Sequence, residues 1–370
     1  MTDMWTILSK LVVLLTVAFS LGVLAKRLKQ SPIIGYLVAG TLLGPTLFDR
    51  HALTHWGELG VSLLLFSIGL EFSFVRLKRM GSAALLGGVL QVTITLALFA
   101  LIFSANSTAG AAVAWGEMVA VSSTAIVLRI LMDRAEMDSV SGRAALGILL
   151  LQDIAVVPLV LAITVMSQGG GAVEVSLNLG KTIAAAGGLV AVFYGLFFHL
   201  IPRLLMRRGL FADRELVVLL AIILAFGSAW AAHSLGLSPA LGAFLAGMVV
   251  GQSKMSHQAA ADALPMRDAF AVLFFVSVGM LFNPMLVLEQ PFLFLKVLFV
   301  IMVCKPLAAV AIVMLFGYSF RTTLTVAIGL AQIGEFSFIL AQLGQSLGIL
   351  PQDGYSTVTA CALFSIAVNP

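Results

Sequence analysis

The chain has 370 residues, of which 61% are hydrophobic and 10% are charged, with a net charge of +4 and a mean hydropathy of +1.10. A soluble domain carries about 25% charged residues, so this composition excludes an ordinary soluble fold. The charges lie in short clusters between apolar stretches of 17 to 25 residues, a length that crosses ~30 Å of hydrocarbon. The sequence therefore predicts an all-α polytopic membrane protein. Its net positive charge comes from Lys and Arg residues in the loops and does not indicate nucleic-acid binding.

Apolar runs between charged or Gly/Pro breaks predict about thirteen transmembrane helices. In chain order the spans are 4–25, 32–48, 57–74, 81–104, 112–131, 144–166, 177–202, 215–235, 239–252, 268–284, 292–316, 322–347 and 355–370. The first run is too long for a signal-peptide core and lacks an A-x-A cleavage site, so it is interpreted as a helix that stays in the protein. The short run at 239–252 is the weakest of the thirteen.

The loop charges predict the orientation of these spans. Sixteen of the 21 Lys and Arg residues fall in alternate loops. Since loops rich in Lys and Arg remain on the cytoplasmic side, we expect the N-terminus outside and the C-terminus in the cytoplasm.

An internal repeat connects the two halves of the chain. The segment "SPIIGYLVAGTLLGP" at 31–45 resembles "SPALGAFLAGMVVGQ" at 238–252, at an offset of 207. The segment "LLLFSIGLEFS" at 63–73 then resembles "LFFVSVGMLFN" at 273–283, at an offset of 210. Small residues at this spacing also allow close helix packing, which is a second explanation of the glycine pattern alone.

The direction of the repeats indicates a transporter. In the predicted topology the first copy enters the membrane from the cytoplasm and the second from outside, so the copies are inverted. We expect a single transmembrane domain over 1–370, with inverted repeats at roughly 31–166 and 238–370 and linking helices at 177–235. Inverted repeats with discontinuous helices are typical of secondary transporters, whose substrate site lies near the midplane.

Two spans carry polar clusters at equivalent places and are predicted to unwind there and cross. The first cluster is Ser122, Ser123 and Thr124, and the second, about 209 residues later, contains Gln332, Gly334 and Glu335. Unwound helices leave charged half-helix ends and free carbonyls at mid-membrane, which suit a small ion. Serines in a membrane helix can instead bond back to their own backbone.

Two opposite charges lie near the centres of their spans. Asp153 stands in "LLLQDIAVVP" and Lys305 in "IMVCKPLAAV". A charge at the bilayer centre costs ~2.5–3.5 kcal/mol on insertion scales, so each one needs a reason. Similar depth suggests that they pair. A purely structural ion pair is the alternative, although such pairs stabilise weakly.

A carboxylate at the Asp153 position can hold either a proton or a monovalent cation, which is the minimum requirement for exchange. Its neighbour Gln152 supplies an oxygen to the ion or hydrogen-bonds a neighbouring helix, and the sequence leaves both open. Glu335 is expected to neutralise the half-helix ends or to tune the site. Glu71 and Arg129, near cytoplasmic helix ends, form a candidate structural or gating pair.

Several segments resemble the monovalent cation:proton antiporter-2 family, and in particular its bacterial Kef-type members. They are "HWGELGVSLLLFSIGLEFS", "LLLQDIAVVPLVLA", "SPALGAFLAGMVVGQS", "LPMRDAFAVLFFVSVGMLFNP" and "LAQIGEFSFILA". The resemblance implies a homodimer in the bacterial inner membrane, in which each protomer has a dimerisation domain and a six-helix core that moves like an elevator. It also implies that 177–235 contributes to dimerisation.

The same resemblance assigns roles to particular residues. Gln152 and Asp153 match the family's Gln-Asp ion site, Lys305 matches its core-helix basic residue, and Ser122–Thr124 match its first unwound segment. Gln-Asp resembles potassium-type members, with sodium still open. Many relatives continue into a cytoplasmic nucleotide-binding regulatory domain, and no Gly-rich dinucleotide motif on a strand occurs in 1–370.

The leading function is therefore antiport of K⁺, or of Na⁺, against protons, with the cation bound at Asp153 and no other cofactor. A ligand-gated potassium channel is one alternative, although no TVGYG-like filter occurs. Sodium-coupled uptake of an organic anion is another, since half-helix N-termini and Lys305 could bind a carboxylate. No hydrolytic or redox constellation is found, so an enzyme is not expected.

Overall fold

The computed structural model describes residues 4–47, 50–71, 82–103, 109–137, 139–168, 172–196, 199, 214–252 and 256–369. The regular structure in these ranges is helical, and they contain no β-strand. The predicted all-α class is therefore confirmed.

The described ranges contain seventeen α-helices. They are α1 (Met4–Arg27), α2 (Pro32–Leu47), α3 (Arg50–Glu71), α4 (Ser82–Phe103), α5 (Ala109–Ala120), α6 (Thr124–Asp133), α7 (Val140–Ser167), α8 (Ala172–Gly195), α9 (Arg214–Ser234), α10 (Pro239–Gly251), α11 (Ser256–Leu281), α12 (Pro284–Glu289), α13 (Pro291–Phe299), α14 (Lys305–Leu315), α15 (Phe320–Gly329), α16 (Glu335–Ser346) and α17 (Gln352–Val368). A π-helical turn, Val300–Cys304, joins α13 to α14.

Within the described ranges, each predicted span overlaps a helix or a pair of consecutive helices, including the short run that became α10. Five helical stretches are long and apolar enough to cross a membrane: 8–27, 85–103, 140–167, 176–195 and 291–315. Further apolar helices in the described ranges are shorter. The chain is a multi-pass membrane protein.

Two helical features lie outside the predicted spans, the first because it is not an apolar run and the second because its six residues are too few to form a span. The helix α11 begins at Ser256, before the predicted start at 268, since its Ala-rich first part favours helix without being hydrophobic. The short helix α12 follows Asn283, whose Oδ1 accepts a hydrogen bond from Met285 N at 3.1 Å. A side-chain cap of this kind satisfies one of the amides that a helix start leaves without a partner.

The chain divides into two compact units. The first contains Met1–Leu47, Lys78–Leu159 and Val278–Pro370, and the second contains Phe48–Leu77 and Val160–Ser277. Both broken helices described below belong to the first unit.

The same close contact recurs once in each unit, at positions that the sequence repeat makes equivalent. In the second unit, a Cβ atom added to Gly69 would collide with the carbonyl oxygen of Phe244. In the first unit, a Cβ added to Gly279 would collide with the carbonyl oxygen of Leu37. The offsets of the two pairs, 210 and 207, are those of the repeat. Glycine is therefore required because two helix backbones touch there.

An apolar cluster in the first unit packs α6, α7, α14 and α15 together. Its members include Leu131, Leu149, Val313, Val326 and Leu330, each of them buried. The cluster joins the second half of one broken helix to the first half of the other. It thereby holds these two half-helices together.

Candidate ion-binding site

Two helices are interrupted in the middle of the first unit, as the sequence predicted. The first ends at Ala120, continues as three non-helical residues, and resumes as α6 at Thr124. The second ends at Gly329 and resumes as α16 at Glu335. Ser123 precedes α6, and its hydroxyl accepts a hydrogen bond from Ile126 N at 3.4 Å. The polar cluster therefore starts a new half-helix and does not bond back to the preceding one.

The two breaks cross in direct backbone contact. The amide of Gly334 donates to the Val121 carbonyl at 3.1 Å, and Ser122 Oγ donates to the Leu330 carbonyl at 3.2 Å. A Cβ atom on Gly334 would lie 2.8 Å from the backbone of Ser122, closer than real atoms pack. The crossing therefore requires glycine at this position.

Gln332 bridges the crossing with both ends of its side-chain amide. Its Oε1 accepts from Ser123 N at 3.1 Å, and its Nε2 donates to Ser123 O at 3.1 Å. Both residues are buried. Unwound backbone inside a membrane protein must have its polar groups satisfied by protein, and here a side chain of one break satisfies the other.

Gln152 belongs to a buried chain of amides. Its Oε1 accepts from Ser122 N at 2.8 Å, and its Nε2 donates to Gln91 Oε1. Gln91 Nε2 in turn donates to Thr95 Oγ1 at 3.1 Å. Of the two roles that the sequence left open for Gln152, the structure shows hydrogen bonding to neighbouring helices. Its role as an ion ligand stays a prediction.

Gln91 was missed in the sequence, although it is an amide within the apolar run of α4. An amide buried in the membrane without a partner is costly, so a Gln inside an apolar run indicates that it has a hydrogen-bond partner.

Asp153 lies beside the first break. Thr124 Oγ1 donates to its Oδ2 at 3.0 Å, and Asp153 is half-buried whereas the adjacent Gln152 is fully buried. Thr124 is the first residue of α6, where the half-helix dipole is positive. A carboxylate at this place can bind a cation or a proton while the helix end lowers the cost of its negative charge.

Lys305 reaches the second break. It is fully buried, and its Nζ donates to the Gln332 carbonyl at 2.9 Å. That carbonyl follows the end of α15, where the half-helix dipole is negative. Lys305 therefore compensates charge at the break itself. Its pairing with Asp153 stays a prediction.

The two breaks receive equivalent support from the helices that follow them. Gln152 of α7 accepts from the amide of Ser122, and Ser365 Oγ of α17 accepts from the amide of Ile333 at 3.4 Å. The predicted spans that became α7 and α17 occupy corresponding positions in the two repeats. Gln152 and Ser365 are different residue types, but each accepts a hydrogen bond from a backbone amide of its break.

The remaining predicted site residues are placed less fully. Glu335 is half-buried and is the first residue of α16, where an acid is favoured by the half-helix dipole. The side chains of Glu71 and Arg129 lie outside the described part of the structure, so the gating pair stays a prediction. Within that part, no three His, Cys, Asp or Glu side chains are grouped to hold a metal ion.

One buried acid was missed altogether. Glu117 lies in the last turn of α5 and is fully buried. The argument that singled out Asp153, an acid inside an apolar span, applies to "AWGEMVAV" as well.

Comparison with known proteins agrees with this architecture. Residues 12–370 match the family described as "Sodium/hydrogen exchanger, transmembrane". The putative cation/proton antiporter YbaL of Escherichia coli K12 is 43% identical over 96% of this chain and 66% of its own length. The glutathione-regulated potassium-efflux system protein KefC of Salmonella heidelberg is 30% identical over 100% of this chain and 60% of its own.

A solved structure has the same fold. The sodium proton antiporter MjNhaP1 of Methanocaldococcus jannaschii superimposes with a TM-score of 0.71 at 15% identity, covering 99% of this chain and 95% of that one. The chain thus spans nearly all of that structure, but less than two thirds of KefC. The relatives confirm the Kef-type resemblance of the membrane part. The chain belongs to the sodium/hydrogen exchanger transmembrane family.

Proposed function

We propose that this protein exchanges a monovalent cation for protons across a membrane, with Asp153 as the shared binding group. The observation that carries the proposal is the position of the Asp153 carboxylate, which accepts from Thr124 at the positive end of a half-helix beside two crossed breaks. Cation and proton compete for the same oxygens. Each arriving cation displaces one proton to water, and each arriving proton displaces the cation.

The charges around the breaks favour a cation over an anion as the substrate. Both half-helix N-termini already have a carboxyl group nearby, Asp153 at α6 and Glu335 at α16. The ammonium of Lys305 is engaged by the Gln332 carbonyl. The positive groups that could bind an organic anion therefore already interact with acidic side chains or a carbonyl of the protein. This arrangement disfavours sodium-coupled anion uptake.

Potassium is the favoured cation and sodium is the alternative. The Gln-Asp pair resembles potassium-type members, and potassium is the ion in the printed name of KefC. The protein would lie in the bacterial inner membrane as a homodimer, with its N-terminus outside and its C-terminus in the cytoplasm. A cytoplasmic nucleotide-binding domain or subunit would regulate it, and the core helices would carry the loaded site by an elevator-like movement.

Proteoliposomes with a preset proton gradient test the function. K⁺, Na⁺ or an organic anion is added separately, and only a transported ion should dissipate the gradient. We expect K⁺ to do so at the lowest concentration and the organic anion to have no effect. The Asp153→Asn variant should lose this response, whereas Glu289→Gln, which removes an exposed acid, should keep it. Coupled exchange by Asp153→Asn would refute the assignment. Cation current without proton movement would indicate the channel instead.

A further inference from the structure

Glu117 is a carboxyl group that the proposed mechanism does not use. Its side chain is 0% exposed, and within the described part of the chain neither Oε1 nor Oε2 has a hydrogen-bond partner. It lies four residues before Val121, where the first break begins. At ~1.5 Å per residue, its backbone is about one helical turn from the crossing.

The helices packed against α5 contribute few charged groups. They are α4, α16 and α17, and α4 contains no titratable side chain. The titratable groups of the other two, and of α7 near the break, are Glu335, Asp353, Tyr355, Cys361 and Asp153. Four of these groups have hydrogen bonds to other residues. Asp353 accepts from Gln290 and Asp153 accepts from Thr124. Tyr355 donates to the carbonyl of Val278 and Cys361 to that of Phe294. Lys305 of α14 and Lys296 of α13 donate to the carbonyls of Gln332 and Ile102, so within the described part of the chain no lysine bonds to Glu117.

Two physical effects disfavour a negative charge at this position. Burial removes the carboxylate from water, and no donor replaces the water. Glu117 also lies in the last turn of α5, where the half-helix dipole is negative and repels an anion. Both effects favour the neutral acid over the carboxylate. A leucine there would avoid both costs, and an ionisable residue inside a membrane indicates function.

We propose that Glu117 is a second proton-binding site, which holds a proton in the described conformation and releases it when a monovalent cation binds at the first break. The negative end of the α5 half-helix favours a cation at the first break. The backbone of Glu117 is about one helical turn from that break, so a cation bound there favours the carboxylate of Glu117.

The step conserves charge and atoms. The carboxyl O–H bond of Glu117 breaks, the proton passes to water on the side to which the core is open, and the bonding electron pair stays on the carboxylate opposite the bound cation. This inference rests on the proposed exchange function. It adds that two protons, from Asp153 and Glu117, leave for each cation bound, so the exchange moves net charge.

Infrared difference spectroscopy of the purified protein tests the protonation state without transport. The wild type should show the C=O stretch of a neutral carboxylic acid that is absent in Glu117→Gln, shifted in Glu117→Asp and retained in Asp153→Asn. Addition of saturating K⁺ or Na⁺ at alkaline pH should remove this band from the wild type. Identical spectra for the wild type and Glu117→Gln, or a band that persists while the cation binds, would overturn the proposal.

The reversal potential of exchange in proteoliposomes tests the coupling. Glu117→Gln should exchange one proton fewer per cation than the wild type, whereas Glu289→Gln should match the wild type. An unchanged ratio in folded Glu117→Gln, with folding verified by thermal unfolding, would contradict the release step. If the wild type exchanged nothing, the antiport function would fail, and the infrared band would still decide whether Glu117 is a proton site.

Discussion

The side chain of Gln332 binds both backbone polar groups of Ser123, accepting from its amide and donating to its carbonyl at 3.1 Å each. The two residues are 209 positions apart, which is the offset of the predicted breaks. Equivalent points of two inverted repeats are therefore bonded to each other. Each unwound segment needs partners for its backbone inside the membrane, and each finds some of them in its counterpart.

Replacement of Gln332 by Ala should leave the amide and carbonyl of Ser123 without these partners. Each unsatisfied buried group costs about 1–3 kcal/mol, so the melting temperature of the detergent-purified protein should fall clearly and exchange should be lost. Gln345→Ala is the matched control, because Gln345 bonds to Gln352 at a half-buried position at the far end of α16. Equal destabilisation by the two variants would show that the bridge is unimportant.

Gly334→Ala should force the two breaks apart. The added Cβ would lie 2.8 Å from the backbone of Ser122, and overpacking of this kind costs about 1–3 kcal/mol. Thermal unfolding and proteoliposome exchange both report the effect.

Gly180→Ala is the control for that change, since Gly180 lies within α8 and an added Cβ would meet nothing within 4 Å. It should be neutral or slightly stabilising, because alanine favours helix over glycine by about 1 kcal/mol. A Gly334→Ala protein as stable and active as Gly180→Ala would contradict the crossing geometry.

Gln91 and Gln152 should act as one unit. Since Gln152 donates to Gln91 while accepting from Ser122 N, either Gln→Leu change breaks the same chain. The double variant should then be less destabilised than the sum of the single ones, with a coupling energy of about 0.5–3 kcal/mol. Chemical denaturation of the four proteins measures it. Additive effects would mean that the two amides are energetically independent.

Thr124→Val should weaken the cation site while keeping a β-branched side chain of similar shape. The hydroxyl donates to Asp153 at 3.0 Å, and a hydrogen bond to a charged group contributes about 1.5–3 kcal/mol. The cation concentration for half-maximal exchange should therefore rise by about tenfold or more. Thr124→Ser retains the hydroxyl and should restore the wild-type value. A lower melting temperature with unchanged cation dependence would show that Thr124 only stabilises the start of α6.

The sequence alone determined the class of this protein, the spans and the two breaks. These features depend on local properties: the length of an apolar run, the small residues at 31–45 and 238–252, and polar clusters where a membrane helix cannot hold them without cost. The same locality explains the errors at α11 and α12: the first part of α11 is helical without being apolar, and α12 is helical but too short to be a span.

Only the tertiary structure decided which polar groups meet. The sequence placed Lys305 and Asp153 at similar depth, but the side chain of Lys305 bonds to the carbonyl of Gln332. It left the role of Gln152 open and gave no place to Gln91 or Glu117. The partner of a buried side chain depends on how each helix is rotated and where segments some 200 residues apart cross. That choice follows from packing, which no local stretch of sequence contains.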